Sequence, residues 1–373
     1  MKWSFILGAC VCGLLLPGMS VQRVRADEIP KEYRETIRKG LAWLVKQQHK
    51  DGHWSVQGDN YGVTMTGMAG MALLCEGSTL REGKYADNIR RAVDWLMEPE
   101  RTRPSGLICN LNKPGEAGSY MYGHGFATLF LASVYGDEDN KDRREKLKGI
   151  LKRAVKYIGE AQSTQGGWYY TSAKDGGDND EGSVTITQLQ PLRACRNAGI
   201  PVPKSIIDKG RKYLEKATTT NGGVVYSLGR GGMGAMAGGE RPALTAAAIA
   251  CGFSAGEYKS KTVQKWLKYC KTYLPVGSMT RIGHDEYTHY YYAQALYVLG
   301  DKGYARLFPK SDPKEVLTWS AYRKEMFRAL KQSQDSNGGW SRGGGWGIGP
   351  VYSTAINLTI MQLDRAALPI YQR

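Results

Sequence analysis

The amino-acid sequence predicts an all-α fold, a closed (α/α)6 toroid of six helical hairpins. Three observations carry the prediction: a glutamine-glycine-tryptophan motif returns at a fixed interval, two kinds of helical stretch alternate six times, and no alternating apolar-polar strand pattern is present. The tryptophans give the interval. Trp54 and Trp168 are 114 residues apart and Trp168 and Trp340 are 172 apart, close to two and three multiples of about 57, a period in the range of repeat architectures. Six such periods nearly fill the 373 residues.

The first element is a leader, MKWSFILGACVCGLLLPGMSVQRVRADEIP. Lys2, an apolar run from Trp3 to Met19 and Val24-Arg25-Ala26 ahead of Asp27 read as a secretory signal peptide, residues 1 to 26, cleaved after Ala26. Residues 27 to 373 are then one exported toroid domain, periplasmic or extracellular, and no later stretch is long and apolar enough to span a bilayer. Cleavage removes Lys2, Arg23 and Arg25, so the formal charge falls by three from +16 to +13. That balance suits a solvated basic exterior or association with an anionic polymer, and it describes association rather than fold. Cys75, Cys109, Cys195, Cys251 and Cys270 remain, an odd and widely spaced set without CxxC. Neither a disulfide framework nor a structural zinc site is expected from them.

Each repeat opens on an amphipathic outer helix. In the first, Tyr33, Ile37, Leu41 and Leu44 share one face while Arg34, Arg38 and Lys46 fall elsewhere. The helix ends in Gln48, Gly52 and Trp54. The same offsets return at Gln162, Gly166 and Trp168 and at Gln334, Gly338 and Trp340, and Arg91-Ala92, Lys209-Gly210 and Trp266 mark weaker copies. The glutamine amide is expected to donate to unpaired carbonyls at the end of its own helix, the glycine to supply a positive-φ turn, and the tryptophan to cover the seam to the next hairpin. The second stretch of each repeat is apolar or small nearly all round, as in GVTMTGMAGMALL, RPALTAAAIACGFSAG and EYTHYYYAQALYVLG. Such helices are buried on all sides and form an inner ring. An open solenoid would need polar capping repeats, which the sequence lacks.

The pattern (Lys/Arg)-(Gly/Ala)-x2-aromatic-aliphatic-x3-Gln-x3-Gly-x-Trp at 39 to 54 and 153 to 168 resembles the QW motif of the prenyltransferase and squalene-oxidase repeat. That repeat is shared by squalene-hopene cyclases and, more loosely, by protein prenyltransferase β-subunits. MYGHGFATLFLASVYG and the C-terminal GPVYSTAINLTIMQLDRAALPIYQR look like elements of secreted bacterial proteins built of a single toroid. The resemblance covers most of residues 28 to 373. It implies the toroid and suggests an isoprenoid-like, hydrophobic ligand.

Candidate chemistry gathers where the long connections enter the inner helices, because long loops over a rigid scaffold are where sites form. The densest group is Asp178-Asn179-Asp180-Glu181, directly before the third inner helix. The resembling cyclases carry Asp-x-Asp-Asp at such a place and use an aspartic acid to protonate an alkene or epoxide. Here Glu181 stands at the last position, and Gly182-Ser183 follow. Three readings of Asp178, Asp180 and Glu181 stay open: a helix cap by Asp180 or Ser183, calcium binding by the carboxylates, or a general acid kept protonated by its neighbours. Tyr122, His124, Asp285, His289 and Tyr290 are expected near the same mouth. His124, His284, Asp285 and His289 could supply zinc ligands, as Asp, Cys and His do in prenyltransferase β-subunits, although the Asp-x-Cys spacing is absent here. No cofactor is required by these patterns.

Tyrosine is abundant, 23 against six Phe, which favours a more polar cavity than a squalene tunnel because buried hydroxyls need partners. Gly229-x-Gly231-x-x-Gly234 follows no strand and reads as a glycine-rich loop. No phosphate-binding Gly-Lys-Ser/Thr, no Gly-x-Ser-x-Gly and no nucleic-acid-binding pattern is present. The sequence therefore leaves three functions: a ligand-binding toroid, an acid-initiated isoprenoid cyclase, and a lyase or hydrolase acting on an anionic glycan.

Overall fold

The computed structural model describes residues 28–56, 58–228, 239–276, 285–341 and 348–372. The leader, the glycine-rich stretch 229–238 and His284 lie outside them.

Six outer helices, α1 (Lys31–Lys46), α3 (Ala86–Leu96), α5 (Lys141–Glu160), α7 (Lys204–Lys216), α9 (Lys261–Tyr273) and α11 (Trp319–Ser333), alternate with six inner ones. The inner helices are α2 (Gly62–Cys75), α4 (Tyr120–Val134), α6 (Gly182–Asn197), α8 (Pro242–Ser254), α10 (Asp285–Leu299) and α12 (Pro350–Met361). Each inner helix packs on the next, and α12 packs back on α2, so the ring is closed. Among the described residues there is no strand, only isolated bridges, and no helix is long and apolar enough to cross a membrane.

The two helix types behave as their composition requires. Helix α1 buries Ile37, Leu41 and Leu44 and exposes Arg34 and Arg38, each buried aliphatic side chain contributing roughly 1.5–3 kcal/mol relative to exposure. All residues of α2 are buried. Small residues let the inner helices approach closely: a Cβ on Gly67 would stand 2.7 Å from the Phe126 backbone, and one on Gly125 would stand 2.4 Å from the Thr187 carbonyl oxygen.

The repeated motif is the seam between hairpins, with one exchange of roles. The glutamine amide does not serve its own helix. Gln162 Nε2 donates to Gly166 O at 2.9 Å and to Ile206 O, in the next outer helix, at 3.1 Å. Gln48 reaches Asn88 O and Gln334 reaches Thr36 O in the same way. The carbonyl of the motif's own helix is taken by tryptophan instead, Trp168 Nε1 to Ile158 O at 2.7 Å, with Trp54 to Leu44 O and Trp340 to Leu330 O alike. Gly166 has φ +97°, and a Cβ there would lie 2.6 Å from Lys209 O. The basic residue that opens each motif thus offers its backbone, not its charge, to the glycine of the preceding repeat, and the small residue after it makes room for the indole. Gly210 lies beneath Trp168 and Gly40 beneath Trp340. This last contact joins the sixth repeat to the first.

The axis of the ring is filled. Helices α4 and α10 are opposite one another, yet the Phe126 and Tyr290 rings meet across the axis at 6.4 Å. Gln190 Nε2 of α6 donates to Gln294 Oε1 of α10 at 2.6 Å. The far end is covered by the C-terminal turn Pro369–Tyr371, where the Tyr371 and Tyr290 hydroxyls are 3.0 Å apart. The cavity left there, lined in part by Gln190, Gln294 and Tyr371, is about 40 Å³.

Candidate functional site

The end of the ring where inner helices begin carries the densest group of sequence candidates. Its floor is assembled around the start of α6. Glu181 caps that helix: its carboxylate accepts from the Ser183 N–H at 2.8 Å and from the Val184 N–H, and Ser183 Oγ donates to it at 2.7 Å. Since Ser183 donates to Glu181, Tyr122, whose hydroxyl is 2.5 Å from Ser183 Oγ, is left to donate to the serine. From α10, the inner helix after next, Tyr287 donates to Ser183 O at 3.2 Å. The Tyr170 and Tyr226 hydroxyls bond to each other, and the Tyr122 and Tyr170 rings stand 5.8 Å apart. All four tyrosines are half-buried.

Glu181 is fully buried, and desolvation raises its pKa to about 7 against the bonds from Ser183 and Val184 that favour the anion. Burial first, and then the Glu181 charge, holds the Tyr122 hydroxyl well above its ordinary range, so that phenol remains a neutral donor. A second buried glutamate, Glu116, serves α2. The residue before α2, Tyr61, has φ +55° and caps nothing. Glu116 instead accepts from Asn110 N at 3.0 Å and Val63 N at 3.4 Å, and burial raises its pKa to about 7.

The remaining acidic candidates diverge. Asp178 accepts from the Thr164 N–H at 2.7 Å and from its hydroxyl. Asp180 turns outward into the wall, where Oδ1 accepts from the Tyr213 hydroxyl at 2.8 Å, Leu228 N at 2.9 Å and Ser227 Oγ at 3.1 Å, while Oδ2 is buried without a partner. The helix cap is therefore Glu181 rather than Asp180 or Ser183. A calcium cage would need these carboxylates to converge, and they point three ways.

The histidines are also dispersed. Four repeats tie the residue at the tryptophan position to a threonine of the inner helix, as Trp168 N does to Thr185 Oγ1 at 3.0 Å. In the second repeat His124 takes that place: Ile108 N donates to its Nδ1 at 3.1 Å, its Nε2 is 3.3 Å from Ala154 O, and burial lowers its pKa to about 4. His289 faces the outer ring, with Nδ1 3.0 Å from the Tyr322 hydroxyl. Asp285 begins α10, and Tyr290 lies in the axis. Among the described residues these groups do not form one zinc site. Elsewhere, His49, His53 and Asp59 bring ligand atoms within 4.8 Å of one another. The His49 and His53 rings are stacked at 4.1 Å, however, so their in-plane lone pairs run side by side, and Lys113 Nζ is 2.7 Å from Asp59. That arrangement is an ion-pair cluster bracing a loop.

Of the sequence candidates, the mouth unites Tyr122 and Glu181. Tyr170, Tyr226, Tyr287 and Glu116 escaped the sequence reading, though two of them carry a signal: Tyr170 and Tyr226 each sit two residues after the tryptophan position, occupied by Trp168 and Val224.

No protein-family model matches the chain, and no curated protein does. Solved structures do. An inactive variant of an alpha-1,6-mannanase of Salegentibacter sp., in complex with alpha-1,6-mannotriose, superposes with TM-score 0.61 at 9% identity, over 90% of this chain and 99% of that one. The type II terpene cyclase MstE of Scytonema gives 0.55 at 14%, over 91% and 100%. A variant of that cyclase with bound geranylgeranyl dihydroxybenzoate gives 0.53 at 14%, over 90% and 98%. At these identities the likeness establishes the class of protein, an α/α toroid.

Proposed function

We propose that the protein is an exported oligosaccharide-binding toroid whose ligand lies across the inner-helix N-terminal mouth. The observation that carries the reading is the half-buried set Tyr122, Tyr170, Tyr226 and Tyr287 around Ser183 and Glu181. Tyrosine offers a flat apolar ring to the C–H face of a sugar and a hydroxyl to its alcohols, a pairing of apolar and polar contacts that suits a carbohydrate. The mannanase neighbour bound to mannotriose supports the same class. The prenyl ligand of the cyclase neighbour, and the isoprenoid suggested by the motif, fit less well, because a long hydrocarbon needs an enclosed apolar channel and here opposite helices touch across the axis.

A second reading, acid catalysis on the bound glycan, is favoured by the neutral-poised Glu181 and by the successive acidic pair Asp180-Glu181. The mannanase variant described as inactive has two successive aspartates replaced. Binding is the stronger reading, since glycoside hydrolysis uses two opposed carboxyl groups and Asp180 turns away.

The test is calorimetric titration of mature wild type and Tyr226→Ala with neutral and acidic oligosaccharides and with a geranylgeranyl compound, alongside product analysis with Glu181→Gln. Oligosaccharide binding weakened at least about ten-fold in Tyr226→Ala, equivalent to 1.4 kcal/mol, supports the proposal. Binding of the geranylgeranyl compound alone would refute it. Cleavage by wild type that is lost in a folded Glu181→Gln would establish the second reading.

A further inference from the structure

We infer that Arg241 is the anion-reading residue of this mouth, so that the ligand is an acidic oligosaccharide bearing carboxylates, as uronic acids do; the inference rests on the oligosaccharide reading above. Arg241 immediately precedes α8, as Glu181 immediately precedes α6, and the two helices are neighbours in the ring. The two repeats therefore present an acid and a base at equivalent positions of one rim. They are not paired with each other among the described residues, where Arg241 forms no ion pair or side-chain hydrogen bond.

The guanidinium is held by an aromatic ring rather than by an acid. It lies 5.8 Å from the centroid of Tyr226, itself bonded to Tyr170, and Nε is buried without a partner. Two acids of the same rim are engaged: Glu240, adjacent in sequence, accepts from the Thr219 hydroxyl, and Glu181, at the equivalent position of the neighbouring repeat, is occupied by Ser183 and the start of α6. A half-buried guanidinium loses hydration without gaining a counter-charge, which is unfavourable unless a ligand supplies one. Among the described residues no side chain hydrogen-bonds its fork, and a guanidinium fork meets a planar carboxylate through two parallel hydrogen bonds. A sugar ring lying on the tyrosines would bring a carboxylate on its edge to that fork.

The experiment compares oligogalacturonate with the same oligosaccharide after its carboxyl groups have been reduced to alcohols, by calorimetry on the mature chain. Wild type is expected to favour the acidic form by about ten-fold or more, with the preference shrinking as salt is raised. R241Q should erase the preference, and R241K should restore part of it, since ammonium keeps the charge but not the fork. The backbone carbonyl of Arg241, which serves Thr245, is untouched in both variants, and the salt titration of wild type reads the same contact without any substitution. Equal affinity of wild type for both oligosaccharides, or a preference retained in R241Q, would overturn the inference and leave the oligosaccharide reading standing. Failure of wild type to bind either would overturn both.

Discussion

Trp168→Ala tests the seam that makes six hairpins one ring. The indole is fully buried, rests over Gly210 and donates to Ile158 O at 2.7 Å. Truncation leaves a cavity beside a residue that has no side chain to fill it, which costs about 3–5 kcal/mol. It also orphans the Ile158 carbonyl, adding roughly 1 kcal/mol. With an unfolding entropy of about 2.1 cal/mol/K per residue over roughly 350 residues, the sum corresponds to a fall in Tm of roughly 5–8 °C. Differential scanning calorimetry of wild type and variant measures it, and oligosaccharide affinity of the folded variant should match wild type because Trp168 lies in the wall. An unchanged Tm would refute the seam. Lost binding with unchanged Tm would mean that the tryptophan belongs to the site.

Gly166→Ala should destabilise by about 1–3 kcal/mol, because both φ +97° and the Lys209 carbonyl oppose a methyl group; urea unfolding measures it. Glu181 and Glu116 have folded pKa values of about 7 against a reference of 4.5, so the folded state binds protons more tightly than the unfolded one. Their contribution is full below pH 4.5 and is lost as pH rises through 7, on the order of 3 kcal/mol for each; urea midpoints across this window should fall, and the fall should be smaller in Glu181→Gln and Glu116→Gln. Asp180→Asn places an amide donor where Oδ2 is buried without a partner, so it should cost about 1–3 kcal/mol while glycan affinity holds, measured by unfolding and titration together. N-terminal sequencing of exported protein should read from Asp27.

Much of the ring was legible because its packing rules are periodic. Inner helices had to be apolar on every face, and α2 buries every residue; outer helices had to be amphipathic, and α1 divides Ile37, Leu41 and Leu44 from Arg34 and Arg38. The partners of the motif residues were harder to read. A glutamine two residues past a helix can satisfy that helix or its neighbour, and only the distance between adjacent outer helices decides that Gln162 reaches Ile206 while Trp168 takes Ile158. His124 shows the same limit. As the scarce titratable residue near an inner-helix start it resembles a ligand, yet it fills the register that Thr66, Thr185, Thr245 and Thr354 occupy in other repeats.

Comparison among the repeats separates wall from site. Positions that hold the ring together change little in role: a positive-φ glycine meets the next helix at Gly52, Gly106, Gly166, Gly222 and Gly338, and a side-chain acceptor in the inner helix meets the tryptophan position even where that acceptor is histidine. At the mouth the roles diverge. Among the described residues, two residues past the tryptophan position the chain has Val56, Asn110, Tyr170 and Tyr226, and the residues directly before five of the inner helices are Tyr61, Ser119, Glu181, Arg241 and Gly349. The binding role proposed above would account for an acid and a base directly before neighbouring inner helices and for tyrosine two residues past the tryptophan position in the third and fourth repeats. Among the described residues the α6 and α8 side gathers Glu181, Arg241, Tyr170 and Tyr226, and the oligosaccharide proposed above, bound off-centre on that side, would account for the difference between these two repeats and the first two.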